Sequence, residues 1–317
     1  MSKPLIIADQ TTGMNLGCDN VFTAKVHKWN IGRYAKPFHI IPIGDVHSDS
    51  PGHCRQTLKE TLDHIKDLHD AGEEYRIFGM GDYLDYCSDT ERAKLARQGK
   101  AGMHESTNAT HDKTADSATK EFCELFAFTK GKWIGAIQGN HYWRFLTDKK
   151  HPVGVTTDMV IAEKMGCEWL GWASYVIVQL QYRTSMASVD IFASHGKGGG
   201  SLIGSPYNTV HKMREVCPEA DIYMMGHDHN RGTLAKQSLK VKVDQSTGQP
   251  VVKSKTQLCC RTGSFLKGYA INEANYVTRA LWSPSSIGHV EILGKVTRTT
   301  KCDGMNRMTR LKLQGIA

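Results

Sequence analysis

The chain lacks the marks of several common protein classes. No apolar run approaches the roughly 18 residues a helix needs to span a bilayer, which excludes a helical membrane protein. Residues 1–20 show no basic start followed by an apolar stretch, so no secretory leader is expected and the chain reads as cytoplasmic. No Cys-x-x-Cys pair occurs. The nine cysteines are scattered, and Cys259 and Cys260 are adjacent, which suits neither an ordinary disulfide nor a zinc knuckle. Reduced thiols are the expectation. There is no internal repeat and no low-complexity tract. The glycine-rich stretch Gly196-Lys197-Gly198-Gly199-Gly200-Ser201 lacks the G-x-x-x-x-G-K-[ST] pattern, so it is no P-loop. It is either a flexible turn or a loop whose amides and Lys197 meet a substrate.

What is present suits one large core. The 317 residues are 40% hydrophobic and 23% charged, and a single domain over 1–317 is expected. The net charge of +8 is unevenly spread. Between Arg231 and Thr256, Arg231, Lys236, Lys240, Lys242, Lys253 and Lys255 stand against Asp244 alone. Between Lys295 and Lys312, Lys295, Arg298, Lys301, Arg307, Arg310 and Lys312 stand against Asp303. Such stretches can track a polyanion by releasing its counterions, or can simply keep a surface soluble. They make DNA or RNA an expected partner, through 231–256 and 295–312. Residues 295–317 read as a basic C-terminal tail. No membrane partner is expected, and a homo-oligomer is left open.

Hydrophobic periodicity gives the elements. Val21–Trp29 suits an edge strand, and Phe38–Ile43 a buried strand. Leu58, Leu62, Ile65 and Leu68 make one apolar face of a helix over His53–Ala71, stopped by Gly72. Arg76–Met80 and Trp133–Ile137 read as strands, with a helix over Ser117–Lys130 between them. The polar interval 87–115 reads as an irregular or helical insertion, and 87–130 as a lid or insertion near the site. A short helix follows at Thr157–Met165, then strands at Tyr175–Gln181 and Val189–Ala193. A helix at Pro206–Cys217 precedes a strand at Ile222–Met225. Leu239–Val243 and Pro250–Cys260 flank Ser246-Thr247-Gly248 as a hairpin, and His289–Leu293 is a last strand.

Five of the strand-like runs end in residues that bind metals. The ends are Asp45/His47, Asp82/Asp85, Asn140/His141, His195 and His227/His229. Any one has an ordinary explanation as a cap or turn residue. Ligands gather at the carboxyl ends of strands in α/β sheets, so the five are expected to converge. In a strand, His227 and His229 would point to one face. Carboxylate, imidazole and amide oxygen without thiolate suit hard to borderline divalent ions. About seven donors are too many for one ion and suggest two.

Taken in order, Asp45-x-His47, Gly81-Asp82-x-x-Asp85, Gly139-Asn140-His141, His195-Gly196 and Gly226-His227-x-His229 resemble the motif set of the calcineurin-like metallophosphoesterases. That family includes protein phosphatases, cyclic-nucleotide phosphodiesterases and SbcD-type nucleases. The motifs cover about residues 38 to 230. The resemblance implies an α/β (α+β) fold, a four-layer α/β/β/α sandwich with the site at one edge. It implies two divalent ions, manganese foremost, with iron, zinc, nickel or cobalt as alternatives. Asp45, His47, Asp82 and His229 would hold one ion. Asp82 would bridge to a second, completed by Asn140, His195 and His227. His141 would protonate the leaving oxygen, and Asp85 would orient it; a carboxylate beside His141 would bias it towards imidazolium. The sequence departs from the family at Tyr142 and at Tyr86, which stands where protein phosphatases carry a phosphate-gripping arginine. Arg144 is a substitute by position, or a surface charge. A phosphodiesterase or nuclease is the leading expectation. A phosphomonoesterase or cyclic-nucleotide phosphodiesterase is the alternative, and a non-catalytic binding module the third.

Overall fold

The computed structural model describes residues 22–32, 36–86, 105–146, 150–182, 185–198, 202, 204–244, 247–269, 278, 284, 286–299 and 308–317. In chain order the elements are β1 (Phe22–Asn30), β2 (Pro37–Ile43), α1 (Arg55–Asp70), β3 (Glu74–Gly79), α2 (Glu105–Leu125) and β4 (Trp133–Ala136). Then come α3 (Thr157–Met165), β5 (Ala173–Tyr182), β6 (Ser185–Ser194), α4 (Ser205–Val216) and β7 (Ile222–Met225). The remainder is β8 (Arg231–Val243), β9 (Pro250–Ser264), β10 (Gly288–His289), β11 (Glu291–Thr299) and β12 (Met308–Ile316). The architecture is mixed α/β with two sheets. One runs β1-β5-β6-β7-β9, with β8 and β10 both pairing β9; the other runs β12-β11-β2-β3-β4. Among the described residues no helix is long and apolar enough to cross a membrane.

The side chains of β2 explain why its run is apolar except at His39, which pairs with Glu291 of β11. Phe38 and Ile40 enter a core shared with Val176, Val178, Ile191, Ile222 and Met224 of the other sheet. Ile41 and Ile43 face the other way, onto Leu58 and Ile65 of α1, Phe122 of α2 and Ile161 of α3. Successive strand residues alternate faces, so a strand covered on both sides needs apolar residues at every step. Each such side chain, fully buried, contributes about 1.5–3 kcal/mol. A third cluster packs Phe192, Tyr223 and Cys259 against Val210 and Met213 of α4. Cys259 and Cys260 fall on opposite faces of β9, both buried, and Cys54, Cys123, Cys167 and Cys217 are also free thiols.

The short helix α3 matches its expected span. Thr156 caps it by accepting from the Met159 N–H, and Gly166 closes it in the left-handed conformation, φ 70°. Three stretches differ from the sequence reading: β8 begins at Arg231, eight residues before Leu239, and the other two are α2 and the C-terminal strands. Helix α2 begins at Glu105, twelve residues before Ser117; the rest of the polar interval, 87–104, lies outside the described residues. Its Thr/Asn/His/Asp-rich start reads as loop because these side chains compete for backbone hydrogen bonds. Here Thr110 and Thr114 satisfy that competition inside the helix, each donating to the carbonyl four residues back.

Residues 295–299 and 308–316 form strands where a tail over 295–317 was expected; 300–307 lie outside the described residues. β11 pairs antiparallel with both β2 and β12, so this segment closes one side of the smaller sheet. Its cations alternate with apolar residues, and Val296 and Leu313 reach the inter-sheet core.

Candidate metal centre

The carboxyl ends of β2, β3 and β4 in one sheet and β6 and β7 in the other meet at one end of the molecule. Backbone hydrogen bonds stitch the loops that follow them. The Asp45 N–H donates to Gly81 O, and the Val46 and His47 N–H groups donate to Asp82 O. The loops after β3 and β4 touch at two glycines. A Cβ on Gly139 would lie 2.1 Å from the Asp82 nitrogen, and one on Gly81, φ 86°, would lie 2.5 Å from the Gly139 nitrogen.

The backbone is strained where the donors sit. Asp45, His47, Asp82, His227 and His229 have φ of 48°, 47°, 49°, 71° and 57°, and no other non-glycine residue among those described has positive φ. A left-handed residue with a Cβ costs on the order of 1–3 kcal/mol. His227 and His229 therefore do not follow the strand alternation expected of them; they lie beyond β7 in left-handed turns.

Those turns send the two imidazoles to different groups. Ligand atoms of Asp45, His47 and His229 lie within 4.8 Å of one another, and so do those of Asp82, His195 and His227. Asn140 joins the second group: its Oδ1 is 2.9 Å from His195 Nε2 and 2.6 Å from His227 Nδ1. The two groups adjoin, since Asp82 Oδ2 is 3.1 Å from His195 Nε2 and 3.9 Å from His47 Nε2. All seven residues expected as ligands are thus brought together.

Tautomers follow from the outer contacts. His195 Nδ1 donates to Met80 O at 2.8 Å, and His47 Nδ1 to Asp85 Oδ1 at 2.9 Å. In its neutral form each ring would turn a lone pair inward from Nε2. His195 Nε2 faces Asp82 and Asn140 oxygens, so imidazole and oxygen donors converge on one space. A metal-binding histidine ordinarily donates its other N–H to a carbonyl or carboxylate, and both rings do so. The donor set and its orientation fit a divalent cation of the hard to borderline kind.

The electrostatics set burial against opposite-sign pairing. Burial opposes charge on His195, but Asp82, through its charge and its contact, overrides it and pushes the imidazole up to about 10. Burial also opposes the charge of Asp82, and His195 and His47 outweigh it, holding that carboxyl below its ordinary range. Burial raises Asp45 to about 6. Burial, with His195 beside it, lowers His227 to about 4.

His141 and Asp85 lie at the open side. The His141 side chain is 24% exposed, against 2% for His47, His195 and Asp82. Its backbone N–H donates to Asp82 Oδ1 at 2.7 Å. Asp85 does not orient His141 as expected. Its Oδ1 takes the hydrogen bond of His47 and sits 3.3 Å from His141 Nδ1 without hydrogen-bond alignment. Nor is His141 biased towards imidazolium: burial lowers its pKa, and Asp82 and Asp85 only partly offset this.

Tyr86 packs on Trp143 and donates to His111 O, which ties the loop after β3 to α2. Arg144 is exposed and pairs through its backbone with Thr156. Lys197 is exposed, and residues 199–201 lie outside the described set. The basic stretches run away from the centre. β8 is antiparallel to β9, which parallels β7, so β8 carries its lysines about 40 Å from Arg231 to Val243. β11 leaves β2 in the same sense, from Ile292 opposite Ile40 to Lys295 opposite Pro37.

No family model matches the chain, and no curated protein matches it either. The geometry therefore stands by itself. It also contains residues the sequence did not signal. Asp158, fully buried, accepts the Gly139 N–H at 2.9 Å and fixes the turn before Asn140; in sequence it is one more acid in a helix first turn. Asp112 accepts Trp143 Nε1 at 2.7 Å and the Leu146 N–H, which anchors the loop after His141 to α2. Arg261 follows the apolar Leu258-Cys259-Cys260, where an isolated cation was the available signal.

Proposed function

We propose that the chain is a metal-dependent phosphoester hydrolase of the calcineurin-like kind, acting on phosphodiesters and using two divalent ions, manganese foremost. The observation that carries this is the coincidence of strain with chemistry. Every non-glycine left-handed residue among those described belongs to the seven expected ligands. Three of the apolar clusters, with helices outside each of two packed sheets, support the α/β/β/α layering of that family.

Asp45, His47 and His229 would hold one ion. His195, His227 and Asn140 would hold the other, with Asp82 between them. Such ions, when bound, neutralise charge on a phosphoryl group and lower the pKa of water. The chain's own residues do the rest. Met80 O and Asp85 fix the ring orientations of His195 and His47. Burial of Asp45, His47, Asp82, His195 and His229 shields these five from bulk water. His141, on the open side, is placed to hand a proton to the leaving oxygen, with Asp85 3.3 Å away to take up the charge of its imidazolium.

Nucleic acid remains the substrate class suggested by charge. The strand register favours a second reading, a small phosphoester or the end of a strand, because it carries the basic stretches away from the centre. A Mn²⁺-loaded substrate panel tests both readings: single- and double-stranded DNA, cyclic mononucleotides and phosphomonoesters. Turnover should fall to background in Asp82→Asn together with Mn²⁺ binding. In His141→Ala it should fall most for poor leaving groups and least for p-nitrophenolate. An active Asp82→Asn, or no turnover of any phosphoester by the wild type, would sink the proposal.

A further inference from the structure

Arg261 is the largest charged side chain wholly buried among the described residues, with 0% exposure near the C-terminal end of β9. Its neighbours in the strand, Leu258, Cys259 and Cys260, are apolar and buried. Its Nε donates to Asp228 Oδ1 at 3.0 Å, and one terminal nitrogen pairs with the same carboxylate and donates to Gly226 O at 2.6 Å. The other terminal nitrogen is buried with no hydrogen-bond partner. Burying a guanidinium costs several kcal/mol, and a well-packed apolar pair often serves stability as well or better. Packing alone does not account for this cation.

Its targets do. Gly226 O and the His227 N–H belong to one peptide unit. The oxygen takes Arg261, and the N–H donates to both oxygens of Asp45, each at 3.0 Å. A cation on the carbonyl polarises the peptide and strengthens its N–H as a donor. Asp228 lies between the two left-handed histidines, and its Oδ1 also accepts the Asn230 N–H at 3.1 Å. Arg261 thus grips the His227–His229 turn at its first carbonyl and at its middle residue. It cannot touch a substrate, because nothing of it reaches the surface.

We propose that Arg261 is a positioning residue for the metal centre. Through the Gly226–His227 peptide it orients Asp45, and through Asp228 it holds His227 and His229 in their left-handed turns, one for each ion. This rests on the metal reading above. It assigns Asp228, which the motif leaves without a role, as the counter-charge that makes the grip two-pronged.

The test compares wild type, Arg261→Lys, Arg261→Met and Arg261→Met/Asp228→Asn. Thermal unfolding of the metal-free proteins is measured beside Mn²⁺ calorimetry and Mn²⁺ electron paramagnetic resonance. Arg261→Met strands the Asp228 carboxylate and is expected to be destabilised. The double variant removes both charges, keeps an acceptor for the Asn230 N–H, and should recover most of that stability. A merely structural arginine would recover metal binding with it. A positioning arginine would not: Mn²⁺ affinity should stay 10–100-fold below wild type, and the spin-coupled signal of a manganese pair should be lost. Arg261→Lys keeps the charge but not the fork, and should bind Mn²⁺ at an intermediate affinity. If the wild type binds two Mn²⁺ and the double variant or Arg261→Lys binds them equally well, the role of Arg261 is overturned alone. If the wild type binds less than one equivalent, the metal reading falls and takes this role with it.

Discussion

Gly226→Ala adds one methyl group where the chain has no room for it. A Cβ there would lie 2.5 Å from Asp45 Oδ2 and 3.3 Å from Thr262 Oγ1. Ordinary contact begins near 3.4 Å, so about 0.9 Å must be absorbed. The carboxylate cannot give way cheaply. Asp45 is fully buried, its side chain holds the His227 N–H, its own N–H is bonded to Gly81 O, and its carbonyl takes Phe265 N–H and Ser264 Oγ. Overpacking of this kind costs about 1–3 kcal/mol, and a charged hydrogen bond about 1.5–3 kcal/mol. Relief of one sacrifices the other, so the expected loss is about 2–3 kcal/mol rather than their total. Urea unfolding without metal measures it. Mn²⁺ calorimetry should show two equivalents falling to one, because Asp45 belongs to the group with His47 and His229, while Asp82, His195, His227 and Asn140 keep theirs. Gly198→Ala is the control, since a Cβ there meets nothing within 4 Å. The reasoning fails if Gly226→Ala unfolds within about 0.5 kcal/mol of wild type and still binds two Mn²⁺ at wild-type affinity.

Two further outcomes are expected. Burial lowers His289 to about 4 from an ordinary 6.5, so the unfolded chain binds the proton first and stability is lost as pH falls from 6.5 towards 4. Between pH 7.5 and 5 this amounts to about 2 kcal/mol, which His289→Asn, keeping an acceptor for Thr61, should not lose; equal acid sensitivity of the two proteins in urea unfolding would contradict it. Asp112→Ala leaves the Trp143 and Leu146 donors unmet, costing about 2–4 kcal/mol, and frees the loop that carries His141; turnover should drop with Mn²⁺ stoichiometry unchanged, and a parallel loss of metal would show that the anchor acts elsewhere.

Much of this fold was legible because its signals are local. A strand covered on both faces needs apolar residues at every step, so β2 stands out in Phe38–Ile43, and Thr156 with Gly166 brackets α3 from both ends. Helix α2 was not legible at its start, because two threonines satisfied inside a helix look the same in sequence as two in a loop. The basic hairpin was misread for a related reason. A run of cations suggests solvent, yet its alternating Ile292, Val296 and Leu313 only acquire meaning once β2 and the inter-sheet core are there to receive them.

At the site, residue types were legible and conformation was not. Nothing in His227-Asp228-His229 announces two left-handed turns, and strand alternation would have put both rings on one face. The turns are what divide the imidazoles between two groups. Five non-glycine left-handed residues cost, at about 1–3 kcal/mol each, as much as the whole stability of an ordinary domain. Glycine or asparagine at these positions would relieve most of that strain. The carboxylates and imidazoles that stand there instead add the cost of burying charge, and a buried arginine is needed behind them to hold the turn. Strain, desolvated carboxylates and a buried cation each disfavour the folded chain, and all three are concentrated at one end of the two sheets. A divalent cation among these seven donors would offset the desolvation of the carboxylates directly and would make the strained backbone the one that presents every donor inward.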